Sequence, residues 1–135
     1  MKITKLIIWT VALNFFILIG IAHGIAPIGL IEIGWFPYLN SKEFHWSITS
    51  SYDNSICAIA FLNFLGQIIL ITSLILKNLK AQAIVIYSGF IVSWIGFVYL
   101  THTLFINSAA RISFITGILF LIISIMLFFR VRRAK

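Results

Sequence analysis

Four apolar runs free of Asp, Glu, Lys and Arg dominate the chain: Leu6 to Gly24, Ile56 to Leu76, Ala83 to Ile106 and Ile112 to Phe129. Coiled as a helix at about 1.5 Å per residue, each is long enough to cross a hydrocarbon core of about 30 Å. A helix satisfies every backbone N–H and C=O within its own segment, which hydrocarbon demands. With 61% hydrophobic and 10% charged residues, the chain lies far from the soluble norm of about 25% charged. The expectation is an all-α integral membrane four-helix bundle, a single domain over residues 1–135 with spans 6–24, 56–76, 83–106 and 112–129. Lys2 and Lys5 before an apolar run also suit a signal peptide. That run exceeds the usual apolar core of about 7–15 residues, so it is expected to remain as helix 1.

Orientation follows from the basic residues. Lys2, Lys5, Lys77, Lys80, Arg130, Arg132, Arg133 and Lys135 fall on one side of the four spans, against Lys42 and Arg111 on the other. Both termini are therefore expected in the cytoplasm, with one extracytoplasmic loop, 25–55, between helices 1 and 2. The acids Glu32, Glu43 and Asp53 fall outside, as do His23, His45 and His102. The net charge of +7 is spread over segment ends, so topology accounts for it and no nucleic acid is expected. The basic run after helix 4 suits anionic lipid or an acidic cytoplasmic partner. A lone cysteine, Cys57, excludes an internal disulfide, a CxxC redox pair and a thiolate metal cage.

The loop opens with GIAPIGLIEIGWFPYLN, apolar after helix 1 is already long enough to cross. Pro27 and Pro37 with Gly24, Gly29 and Gly34 argue against a rigid continuation. Trp35, Phe36 and Tyr38 suit the headgroup level, with the stretch lying along the outer membrane surface. The following SKEFHWSITSSYDNS is polar, and Ser51 or Asp53 suits a cap for helix 2.

Small and polar residues share one face of each helix at about 100° per residue. On helix 1 these are Gly20, His23, Gly24 and Pro27, with Gly20 and Gly24 forming GxxxG. Helix 2 aligns Ala60, Asn63, Gly66 and Gln67. Helix 3 aligns Ser88, Gly96, Tyr99, His102 and Thr103, and helix 4 aligns Ser113, Thr116, Gly117 and Ser124. Such faces permit close helix approach within one chain or between copies.

The candidate outer-face site comprises His23, His102, His45, Glu32 and Arg111. Two histidines from different helices suit a haem iron, and added carboxylates suit a metal. No HExxH or clustered spacing assigns either group, and histidines at helix ends also serve as interhelical hydrogen-bonding groups. Arg111 suits a phosphate or carboxylate beside an acid or base, or simply a headgroup. Asn14, Asn63 and Gln67 form an intramembrane polar set, suited to helix contacts or to a small-solute path. No acid or base is expected well inside the spans, which counts against a proton relay.

The leading functional expectation is an accessory, assembly or oligomeric component of a bacterial inner membrane, acting through its outer loop on lipid, on itself or on another membrane protein. No catalysis and no cofactor are required. The alternatives are a haem- or metal-dependent enzyme around His23 and His102, and an oligomeric channel.

Overall fold

The structure, a computed structural model, describes residues 2–21, 24–34 and 52–134. They are mostly helical, and their order departs from the expected helices at one place. Helix α1 covers Ile3–Phe15, strands β1 and β2 cover Leu18–Ile21 and Gly24–Pro27, and a short α2 covers Ile28–Gly34. Three long helices follow: α3, Tyr52–Thr72; α4, Leu79–Thr101; and α5, Ser108–Arg133. Among these α4 and α5 are long and apolar enough to cross a membrane, while α1 and the Ile56–Thr72 part of α3 are shorter apolar helices.

Helix 1, expected to run to Gly24, thus stops at Phe15. The backbone tightens there, with the N–H of Phe16 on the Ala12 carbonyl and that of Ile17 on the Asn14 carbonyl. The next residues, Ile-Leu-Ile-Gly-Ile, favour extended backbone through their β-branched side chains. β1 and β2 pair antiparallel, from Leu18 opposite Pro27 to Ile21 opposite Gly24. The Ile28 N–H closes onto the Ile17 carbonyl at 2.8 Å, so Leu18 and Pro27 fall at the alternate, non-hydrogen-bonded register. Proline loses nothing there. The free N–H of Leu18 donates instead to Thr116 Oγ1 of α5 at 3.1 Å.

β1 lies against the core, while Gly24 and Ile25 of β2 stay exposed. Ile17, Ile19 and Ile28 are fully buried with Ile59, Phe97, Leu100 and Phe120. A Cβ on Gly20 would overlap the side chain of Ala109, and one on Gly29 the ring of Phe15. Gly20 therefore sits against α5 from a strand, and the expected helical GxxxG face does not form; Gly24 has open space around its Cα.

α3 runs along α4 with the most extensive contact, α1 runs along α5, and α4 also meets α5. The α3–α4 seam is built on Gly66, Gly89, Ser93 and Gly96, which allow near backbone contact. Between α4 and α5, Gly117 lies beneath the Phe97 ring, and Trp94 Nε1 donates to Ser124 Oγ at 3.1 Å. The side chains of Asn78 and Asn107 cap α4 and α5 by accepting from Lys80 N and Ala109 N. Arg130, Arg132 and Arg133 occupy the last turn of α5, where cations complement the helix dipole.

Candidate functional site

Because the hairpin turns back, α2 enters the space between α1 and α3. Glu32 is carried with it and is only 4% exposed. The Gln67 amide of α3, itself 6% exposed, donates from Nε2 to both carboxylate oxygens, at 3.2 and 3.1 Å. Residues 24–34 of the expected outer loop thus form a strand and a short helix, and the acid they carry is buried against α3. Between Lys5 and Lys42 this glutamate is the only charged residue.

Among the described residues no cation compensates the Glu32 carboxylate. Of the charged groups on the elements packed against α2, Lys5 lies ten residues before Phe15 on α1, and Asp53 stands in the first turn of α3.

Further polar atoms line the neighbouring seam without partners. Asn63 Nδ2 donates to the Ile59 carbonyl at 3.1 Å, but its Oδ1 is buried and unpaired. Ser93 Oγ on α4 and Thr103 Oγ1, two residues beyond the end of α4, are likewise buried and unpaired. Gly66 faces Ser93 and Gly96 faces Asn63, while Gln67 adjoins Gly66 in sequence. Positions 93 and 96 lie about 60° apart around α4, so Ser93 and Asn63 form a short row along the seam. On α1, Asn14 is 1% exposed with neither amide atom paired. An unpaired buried polar group costs about 1–3 kcal/mol, which four such side chains make a substantial load for so small a protein.

The other candidates do not join this row. His102 is exposed at the C-terminal cap of α4, its Nδ1 2.6 Å from the Tyr99 carbonyl oxygen. Arg111 is exposed in the first turn of α5. His23, His45 and Glu43 lie outside the described residues, as do Trp35, Phe36, Tyr38, Trp46 and the side chain of Asp53. Among the described residues no three His, Cys, Asp or Glu side chains gather as metal ligands. The amides Asn63 and Gln67 were legible as an interior pair from the α3 pattern. Their joining to Glu32 was not, since it depends on a hairpin that brings residue 32 back beside residue 67.

No family model, curated protein or solved structure matches the chain.

Proposed function

We propose that the chain is a polytopic inner-membrane protein, a four-helix bundle with both termini cytoplasmic, and that it is a small membrane component conducting protons or monovalent cations through the site around Glu32. The observation that carries this reading is a buried carboxylate held by the Gln67 amide in apolar surroundings. An ionisable group in such a place is costly and marks ion or proton pathways in membrane proteins. The unpaired oxygens of Asn63, Ser93 and Thr103 supply the continuation, because each can accept from or coordinate a passing cation, hydronium or water.

The hairpin fits the same reading. α1 and β1 together extend about 33 Å, helical rise and strand rise combined, so a helix plus a strand replaces one full-length span. Irregular backbone at that depth is tolerable where protein covers it. Strand pairing and Thr116 provide that cover here. The broader class expected from the sequence, an accessory or oligomeric membrane component, is kept, with its working site moved from the outer loop to the helix interior.

The test is flux into liposomes containing the purified chain and a trapped pH dye, with parallel arms driven by sodium or potassium gradients. Wild-type protein is expected to admit protons or one of these cations above the rate of empty vesicles. Glu32→Gln should lower that flux by about an order of magnitude or more. Flux indistinguishable from empty vesicles in every arm, or unchanged in the variant, overturns the reading.

A further inference from the structure

At the end of the molecule where α1 begins and α5 ends, two cavities adjoin. Lys2, Arg130 and Arg133 line the first together with Ile3 and Ala134. The second shares Ile3 and Ala134 and continues between α4 and α5, walled by Leu79, Ala83, Ile86 and Val131, with Lys80 also lining it. The cationic side chains are exposed. Their charge is uncompensated by sequence neighbours, for residues 1–31 and 54–135 contain no Asp or Glu at all.

We propose that this double cleft is a binding site for an anionic phospholipid, with its phosphate on Lys2, Arg130 and Arg133 and the upper part of an acyl chain in the apolar cavity. Arginine matches phosphate with a planar fork of donors, and lysine adds a point charge. A free phosphate would use only the polar cleft. The adjoining apolar walls select a ligand that is charged at one end and hydrocarbon at the other. Cations from two helices distant in sequence converge on the cleft, which distinguishes a site from a basic tail attracting the membrane surface diffusely. The inference rests on the membrane part of the reading above and not on Glu32.

Native mass spectrometry of the full chain, delipidated in mild detergent, tests it with phosphatidylglycerol against phosphatidylcholine, and with inorganic phosphate and glycerol 3-phosphate as competitors. One phosphatidylglycerol should be retained in preference to phosphatidylcholine. Lys2→Gln and Arg133→Gln should each weaken retention about fivefold, the worth of one charge near the surface. Arg132→Gln removes the same charge from a residue that does not line the cleft, and should leave retention nearly unchanged. Equal weakening by Arg132→Gln overturns the proposal, as does no preference for the anionic lipid, or displacement of the lipid by either soluble phosphate compound. Glu32→Gln protein should hold the lipid as wild type does, so a failed flux assay and a failed lipid assay remain separable.

Discussion

The N-terminal apolar run and the α4–α5 pair are built from similar residues and end in different structures. In α4 and α5, small residues recur on one helix face with Phe97, Leu100, Phe120 and Leu127 buried beside them, and 23- and 26-residue helices persist without interruption. In the first run the helix stops after 13 residues, and four residues of strand finish the length. The difference lies in what each segment carries next. α4 and α5 need only pack, whereas the first run must turn and return α2 with Glu32 into the interior. A hairpin reverses direction in a few residues, as a continuous helix cannot. The irregular region holds the ionisable group, and the regular region supplies the walls and the row of polar atoms beside it.

The largest effect should come from removing the charge that separates the two regions. Glu32 is 4% exposed, and a charge in such a place is costly where a neutral amide of the same shape is not. Thermal unfolding of the detergent-solubilised chain at pH 5 and pH 9 is expected to show wild type weakened at the higher pH more than Glu32→Gln. Other titrating groups are common to both proteins, so the difference between their profiles isolates this carboxyl. Parallel profiles would mean that Glu32 is not held neutral by burial.

How far the sequence foretold this follows from the same contrast. The long apolar helices were legible because length and absence of charge suffice for them, and the faces of α3 and α5 were legible from spacing. α3 buries Asn63, Gly66 and Gln67 on one face, and α5 buries Ser113, Gly117 and Ser124. The hairpin was not legible, since a wholly apolar run has no polar residue to betray whether its period is two or 3.6. Once Leu6 to Gly24 was read as one helix, Glu32 had to fall outside. The one local warning was a glutamate alone in apolar sequence. His102 illustrates the opposite limit: its place at the end of its helix followed from the length of the apolar run, but nothing in spacing told which side chains would stand beside it.

Two glycines in the hairpin sharpen the comparison at moderate cost. In a helical GxxxG face, Gly20 and Gly24 would be equivalent and valine would harm both. In the hairpin, a side chain at position 20 collides with Ala109, while position 24 is open. Gly20→Val should destabilise by about 1–3 kcal/mol, the usual range for overpacking. Gly24→Val should be close to neutral or slightly favourable, as extended backbone suits a β-branched residue. Chemical denaturation of the two variants in one detergent decides it. Equal losses would restore the continuous helix.

The smallest change in stability, and the most telling about purpose, is expected at Asn14. Both of its amide atoms are buried and unpaired, so replacing it by leucine removes a desolvation cost and keeps comparable volume. Asn14→Leu should therefore be neutral or stabilising by about 1 kcal/mol. If Asn14 belongs to the conducting site, the same variant should lower flux while its unfolding midpoint holds or rises. A packing residue would show the reverse, with stability falling and flux following only as protein is lost. Measuring both quantities on one preparation separates an amide kept for what it does from one kept for how it packs, and so tests whether the broken N-terminal region was shaped around a site.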